Sequence, residues 1–429
     1  MKILKTDDTN FEMEFKEILG RGAMDIDNVV PIVKNIIDEV KEGGDNSLIQ
    51  HISKFDKWTP KNGEELKIST DEMRIAYENI DKKLKEALHL AYDRIKNYHK
   101  KQLPKSWIDF EDNGTILGQK VSAVEKAGVY VPGGKAFYPS SLLMNVIPAI
   151  VAGVKEIIVT TPVIENKPNQ LLLAACHICG VEKVYKVGGA SAIGAMAYGT
   201  ETIEKVDVIT GPGNIFVATA KKMVYGEVNI DMIAGPSEIG ILADESAKPN
   251  YMAIDLLSQA EHDEMASSIM ITTSETLAIE TEKEIYKFLE TLERKEIATK
   301  SIKERGAIII VKNMEEAINL MNQIAPEHLE IVTNNPFELL PKIKNAGAIF
   351  LGENTPEPIG DYIAGPNHTL PTGGSAKFYS PLNVEVFMKK SSIISFSKDA
   401  ILEMGEQCAL LAETEMLTAH QKSVLERLK

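Results

Sequence analysis

Apolar positions recur at helical spacing twice in the first hundred residues. Val30, Val33, Ile36, Ile37 and Val40 predict a helix from Asp25 to about Glu42, stopping at Gly43-Gly44. Leu84, Leu88, Ala91, Ile95 and Tyr98 predict a second from Asp81 to Gln102, with Pro104 as its stop. Residues 1–24 carry little periodic pattern, so the chain opens on an arm followed by a helical layer. From about Gly128 the grammar changes to short, continuously apolar, β-rich runs alternating with helices. Strands are expected at 128–131, 155–162, 182–187 and 206–210, with helices over 169–179 and 191–198 between them. The alternation repeats with strands at 239–242, 267–272, 307–311, 329–333 and 348–351. The intervening helices fall near 255–263, 277–293, 314–324 and 337–344. Continuously apolar strands separated by crossover helices indicate an α/β protein built on parallel sheet. Two successive units of this kind suggest two related halves with a ligand cleft between them.

Two stretches depart from the pattern. Residues 352–379 read G-E-N-T-P-E-P-I-G-D-Y-I-A-G-P-N-H-T-L-P-T-G-G and onward, too rich in Gly and Pro for regular elements. With Asp361, Asn367 and His368 inside it, an active-site loop is expected rather than a linker. The chain closes on one helical segment, about Asp399 to Leu428, carrying Glu415 and His420.

Composition narrows the function. At 429 residues with 44% hydrophobic and 25% charged positions, the chain is an ordinary globular protein of more than one domain. A net charge of −15 argues against a nucleic-acid groove or an anionic membrane surface. No apolar run approaches the ~20 residues that span a bilayer, and the start M-K-I-L-K-T-D-D lacks an apolar signal core. Three cysteines are too few for a disulfide framework, so a reducing cytoplasm is expected. Cys176 and Cys179 spell C-x-x-C, but on an apolar helix without a second pair they read as buried hydrophobes.

The chemistry gathers elsewhere. On the helix D-L-L-S-Q-A-E-H-D (255–263), Ala253, Leu256, Leu257 and Ala260 share one side and Asp255, Gln259 and His262 the other. Gln259 and His262, three apart, can converge on one point. The further candidates are Asp361 and His368 in the Gly-rich loop and Glu415 and His420 near the C-terminus; two imidazoles, one carboxylate and one amide oxygen drawn from this group would suit Zn²⁺. With one formal negative charge from the protein, such a metal stays electrophilic and open to substrate ligands. Glu415 and His420 are five apart, about 140° around a helix, and face one site only if that helix breaks. Glu327 and His328, in A-P-E-H at the junction of a helix and a strand, point in different directions and suit two separate proton transfers. The glycine turn of 128–136 fails the phosphate-loop pattern around Lys135, and Gly211-Pro212-Gly213-Asn214 has two of the three glycines of a dinucleotide turn.

These residues sit in stretches that, taken together, resemble the histidinol dehydrogenase family: G-V-Y-V-P-G-G (128–134), Y-P-S-S-L-L-M-N (138–145), G-P-G-N (211–214), D-M-I-A-G-P-S-E (231–238), L-L-S-Q-A-E-H-D (256–263), A-P-E-H-L-E (325–330), G-D-Y-I-A-G-P-N-H-T-L-P-T (360–372) and E-M-L-T-A-H (415–420). The resemblance implies oxidation of the amino alcohol L-histidinol to the acid through an aldehyde, with two NAD⁺ consumed. It implies one zinc per subunit on Gln259, His262, Asp361 and His420, and His328 as base with Glu327 activating water. Ser237, His368 and Glu415 would contact the substrate along with the metal ligands and His328. Tyr130, Ser191 and Asn214 would lie on the NAD.

The same resemblance implies two related, doubly wound, incomplete Rossmann-like domains in an intertwined homodimer. Residues 25–129 with 237–380 would carry the zinc and acid/base groups, 130–236 the NAD side, and 381–429 a helical segment completing the partner's site. Ser191 stands where the family usually has Gln, and Pro381 and Val386 replace a glycine and an acid. Other readings of the residues are a dehydrogenase of another small diol or amino alcohol, a zinc hydrolase using Glu327 on water, or a metal-dependent structural protein.

Overall fold

In a computed structural model, residues 1–21, 27–133 and 138–429 are described. The turn residues Gly134, Lys135 and Ala136 considered above lie outside the described residues. The chain forms two compact units. The first comprises residues 1–102 and 125–387, and the second 103–124 and 388–429.

The first unit holds two six-stranded sheets. In chain order its first strands are β1 (Lys2–Lys5) and β2 (Lys67–Ile68). The second unit supplies β3 (Trp107–Phe110) and β4 (Ile116–Ala123). The first unit resumes with β5 (Lys126–Tyr130), β6 (Glu156–Thr160), β7 (Lys183–Tyr185), β8 (Val208–Thr210) and β9 (Asn229–Ile230). Then come β10 (Glu238–Ala243), β11 (Ser267–Thr272), β12 (Ala307–Ile310), β13 (His328–Val332) and β14 (Ala348–Leu351). One sheet has the order β2-β7-β6-β5-β8-β9, parallel except for β2, and the other the all-parallel order β1-β12-β11-β10-β13-β14. Each reverses direction beside its first crossover strand, at β5/β8 and at β10/β13, so the expected pair of doubly wound α/β halves is present. Strands such as Glu238–Ala243 and Ser267–Thr272 are buried at every position because helices cover both faces.

The helices in the early chain are α1 (Phe11–Gly20), α2 (Val30–Phe55), α3 (Thr70–Asn79) and α4 (Lys82–Lys100). The first sheet's crossovers are α5 (Pro139–Ala152), α6 (Gln170–Cys179), α7 (Gly189–Tyr198) and α8 (Ile215–Val224). Helices α2, α7 and α8 fill one face of that sheet, and α3 to α6 the other. Helices α2, α3 and α4 pack on the sheet of β5 to β9, whereas the expectation above grouped 25–129 with 237–380; the stripe Val33, Ile37 and Val40 clusters with Ile193 and Met196 of α7. Helix α2 also continues past Gly43: Gly44 takes φ 51°, ψ −133°, kinking the helix instead of ending it. The N-terminal arm is a working part of the other sheet, since Lys2–Lys5 pairs in parallel with Ala307–Ile310.

The second sheet is covered by α9 (Pro249–Ala260), α10 (Glu275–Leu289) and α11 (Lys295–Arg305) on one face, and by α1 and α12 (Met314–Ile324) on the other. A short helix, α13 (Pro336–Leu339), precedes β14. The Gly- and Pro-rich stretch that follows holds one helical turn, α14 (Glu357–Ile359), running into a π-helical turn at Gly360–Ala364. It is pinned along its length: Arg94 donates to Ile363 and Ala364, Asn367 to the Met144 carbonyl at 2.6 Å, and Gly373 to the Glu238 carboxylate at 3.1 Å.

In the second unit β15 (Met388–Ser395) pairs antiparallel with β4, which pairs with β3. Two helices complete it, α15 (Lys398–Thr414) and α16 (Thr418–Leu428). The single closing helix expected from the pattern is thus broken, with Met416 in the left-handed region at φ 59°. No helix among the described residues is long and apolar enough to cross a membrane.

Candidate active site

Most of the predicted chemistry collects at the amino ends of β10 and β13, the two central strands at the switch point. Ser237 immediately precedes β10, and His328 is the first residue of β13, in register with Ile239 and Ala348. Helix α12 ends at Ala325, which adopts φ 52° without being glycine, a strained conformation of the kind stored at functional sites. Pro326 and Glu327 then turn the chain into the strand. The turn rests against Gly347, where a Cβ would come within 2.5 Å of the Glu327 carbonyl.

Glu327 and His328 are buried and held by main chain. The Glu327 carboxylate accepts the N–H of Glu238 at 2.9 Å, and the His328 Nδ1–H donates to the Glu238 carbonyl at 3.1 Å. Nε2 of His328 is a buried atom without a hydrogen-bond partner among the described residues, 3.5 Å from Asp361 Oδ1 and 3.9 Å from Glu357 Oε1. Burial pushes Glu327 up to about 8. Burial opposes the charge on His328, but Glu327 and Asp361 outweigh it and hold the imidazole up to about 10. Asp361 is itself disfavoured by burial, yet His328 and His368 bring it down to about 2. Buried side by side, each shifting the other's titration, Glu327 and His328 are a pair suited to exchanging protons with a third group.

Two of the four metal candidates, His262 and Asp361, come together here. Helix α9 returns antiparallel to β10, so its last turn reaches the amino edge where His328 begins. Gln259 is 1% exposed, and its Oε1 is buried with no hydrogen-bond partner among the described residues. A buried, unpaired carbonyl oxygen is costly unless it serves a ligand. His262 follows one turn on, and burial lowers its pKa, leaving a neutral nitrogen. His262, Glu357 and Asp361 offer ligand atoms all within 4.8 Å of one another. An orphaned amide oxygen, a neutral imidazole and carboxylates form a donor set that fits zinc. His368 stands behind Asp361, its Nδ1 3.9 Å from Oδ1.

Three acids here went unread in the sequence. Glu357 is buried, accepts from the Ser258 hydroxyl at 3.0 Å, and gives its own N–H to Glu330 at 2.7 Å. Glu330 forms a buried carboxyl pair with Asp255; burial pushes Glu330 well above its ordinary range and Asp255 up to about 6. Glu238 is raised to about 7 by burial. The one available signal was Glu357 lying four residues before Asp361, one helical turn. Asn367, singled out with the loop, serves the scaffold: its side chain binds the carbonyl of Met144 and the N–H of Thr369. Glu415 and His420 belong to the second unit, Glu415 capping α15 and His420 in the first turn of α16, both exposed.

The NAD candidates lie at the carboxyl ends of β5 and β8. Tyr130 ends β5; its hydroxyl accepts the N–H of Gly189 at 3.3 Å, and burial pushes the phenol up to about 12. Asn214 caps α8, accepting from Phe216 and Val217 and leaving its own NH₂ free to donate. The preceding Gly211 has φ 120°, and a Cβ there would meet the Tyr130 carbonyl at 2.0 Å. Its N–H goes to Asp231 at 2.9 Å and its carbonyl receives Lys221 at 2.9 Å, and the two side chains form a buried ion pair. Ser191, on the first turn of α7, hydrogen-bonds His51 at 2.8 Å, and His51 in turn contacts Glu39 at 2.7 Å. A serine occupied in this way reaches a cofactor less far than the expected glutamine.

Cys176 and Cys179 are buried on α6 and pushed up by desolvation, inert as expected.

A sequence model of the family described as histidinol dehydrogenase matches residues 19–428. The chain is 69% identical to histidinol dehydrogenase of Sulfurimonas denitrificans over 98% of each chain. It is 65% identical to that of Wolinella succinogenes, covering 100% of this chain and 99% of the relative. Among solved structures, histidinol dehydrogenase from Elizabethkingia anophelis superposes with a TM-score of 0.93 at 36% identity, over 100% of this chain and 98% of that one.

Proposed function

The chain belongs to the histidinol dehydrogenase family, and we propose that the cluster at the amino ends of β10 and β13 is where it carries out the family's reaction. It is an NAD-dependent oxidoreductase catalysing the last step of histidine biosynthesis. The substrate is L-histidinol, oxidised first to the aldehyde and then to the acid.

His328 is the base. The observation that carries this reading is its fixed tautomer: with Nδ1–H committed to the Glu238 carbonyl, Nε2 is the unpartnered atom turned toward Asp361. That nitrogen takes the proton of the substrate hydroxyl as hydride leaves for NAD⁺, and takes a proton again in the second oxidation. Glu327, buried on the other side of the imidazole with Oε2 3.7 Å from Nδ1, positions and deprotonates the water that adds to the aldehyde. Gln259, His262, Asp361 and His420 would hold the zinc. A metal held there would supply Lewis acidity to a substrate with nitrogen donors. Ser237, His368 and Glu415 orient the substrate; Tyr130, Ser191 and Asn214 face the NAD.

The chain works as a homodimer in which the second unit completes the partner's site. Its many exposed apolar side chains support this, among them Trp107, Phe110, Ile394, Leu411 and Met416, each more than half exposed. The test of the reaction is absorbance at 340 nm on zinc-loaded protein with L-histidinol and NAD⁺. Two NADH per histidinol are expected, and one would remove the hydration role of Glu327.

A further inference from the structure

The sheet that carries Tyr130 lacks one part of a dinucleotide site. In such folds an acid at the end of the second strand accepts the ribose hydroxyls. Here the second strand outward from the switch point is β6, and it runs out in Thr160-Thr161-Pro162 with no acid. The neighbouring residue that could serve comes from another element. Asp56 caps the carboxyl end of α2, and its carbonyl accepts the N–H of Glu165 in the loop after β6 at 2.8 Å, which fixes it there.

The Asp56 residue is 7% exposed, and its carboxylate has no hydrogen-bond or ion-pair partner among the described residues. Two residues on, Trp58 carries a buried Nε1–H with no acceptor among the described residues. A nearly buried acceptor and a buried donor, both unpaired and two residues apart in sequence, are each expensive unless a polar partner reaches them. The backbone around them is strained as well. Lys57 (φ 59°), Glu165 (φ 53°) and Asn166 (φ 54°) are three of the five non-glycine residues with positive φ among the described residues. Lys186, leaving the end of β7, lays its ammonium 4.7 Å from the centre of the Trp58 ring and donates to Asn166 at 2.9 Å. Cation and indole thus stack beside Asn166.

Resting on the NAD-dependent reading above, we propose that Asp56 and Trp58 form the ribose subsite of the cofactor. The Asp56 carboxylate accepts a ribose hydroxyl, and the Trp58 indole N–H donates to a ribose or phosphate oxygen. Asp56 takes the place of the acid missing from β6, and its charge opposes a 2′-phosphate, so the subsite selects NAD over NADP.

The chain has two tryptophans, Trp58 and Trp107. In a Trp107→Phe variant the remaining emission reports on Trp58 alone. NADH titrated into the full-length protein should quench that emission saturably, with the same midpoint as calorimetric titration. Asp56→Asn should weaken NAD⁺ binding about 10- to 100-fold and narrow the preference over NADP⁺, while kcat at saturating NAD⁺ is retained. Trp58→Phe, read by calorimetry, should weaken it about fivefold and carries the test should Asp56→Asn not fold. Unchanged NAD⁺ affinity in both variants, with Trp58 emission indifferent to NADH, overturns the subsite and leaves the family reading standing. Absence of NAD⁺ binding by the parent chain overturns both.

Discussion

His328 and Glu238 are joined side chain to main chain, Nδ1–H to carbonyl oxygen at 3.1 Å, across the first residues of two neighbouring parallel strands. In the proposed reaction, sheet register therefore sets which nitrogen of His328 is left for the substrate. His328→Ala should abolish both oxidations, lowering kcat by about 10²- to 10⁴-fold. Glu327→Gln should spare the first. With L-histidinol the glutamine variant should release one NADH per turnover at most, and with the aldehyde supplied directly it should be nearly inactive. Stopped-flow absorbance at 340 nm separates the two steps, and equal loss of both would deny Glu327 its separate role.

Glu357 lies within the group His262, Glu357 and Asp361, with its carboxylate also near His328. A carboxylate so placed would tune a metal held there whether or not it bound it directly. Glu357→Gln should lower zinc affinity about 10- to 100-fold, measured by competition with a chromogenic chelator on the intact protein. Affinity unchanged from the parent would assign Glu357 to packing alone.

Lys221 and Asp231 form a buried ion pair whose members also hold the carbonyl and N–H of Gly211, fixing the turn that ends in Asn214. Removing one charge strands the other. Asp231→Asn should cost about 3–5 kcal/mol of stability in urea denaturation and raise KM for NAD⁺ more than it lowers kcat. Lys221→Met/Asp231→Leu should recover much of the stability without the cofactor affinity, since no side chain then fixes Gly211. Recovery of both would mean the turn holds its shape unaided.

The elements that were legible in the sequence were those whose burial is one-sided or total and whose partners are local. Helix 314–324 and strands 267–272 and 348–351 fall where the apolar pattern puts them. What periodicity could not give was partnership at a distance. Lys2–Lys5 is too short to show alternation and becomes a strand only beside Ala307–Ile310. The stripe on α2 says that it is buried, not which sheet buries it. The antiparallel β15-β4-β3 sheet joins segments some 270 residues apart in sequence, and Trp107–Phe110 is exposed at every position. In the site, the motif residues were readable because several motifs recur together. Glu238, Glu330 and Glu357 were not, since an isolated acid in sequence looks like solvated surface until its burial is known.

Asp56 gives a prediction with opposite signs for stability and binding. Burial raises its carboxyl from the ordinary value of 3.8 to about 6. Below about pH 4 it is protonated folded and unfolded, and costs nothing. As pH rises toward 6 the unfolded chain ionises first, so folded stability falls, and above 6 the full cost remains. Asp56→Asn removes that cost. The apo variant should match the parent near pH 4 and exceed it at neutral pH by on the order of 1–3 kcal/mol, read by thermal melts across pH. Saturating NAD⁺ should narrow or reverse the difference. A variant less stable than the parent at neutral pH would mean that the carboxylate has a stabilising partner.

Glu415 and His420 are separated by the break at Met416, which removes the constraint that one continuous helix would impose on them. If the second unit serves the partner's site, inactivating substitutions in the two units should complement each other between chains. A dimer of one His328→Ala chain and one His420→Ala chain has one site with both defects and one with neither. Random re-association of equal amounts gives half mixed dimers, so about a quarter of wild-type activity should return from two inactive preparations. Activity should appear only after subunit exchange, followed at 340 nm beside the mixed-dimer fraction from native mass spectrometry. If His420 instead serves its own chain's site, every site in the mixture carries a defect, and no activity returns at any ratio.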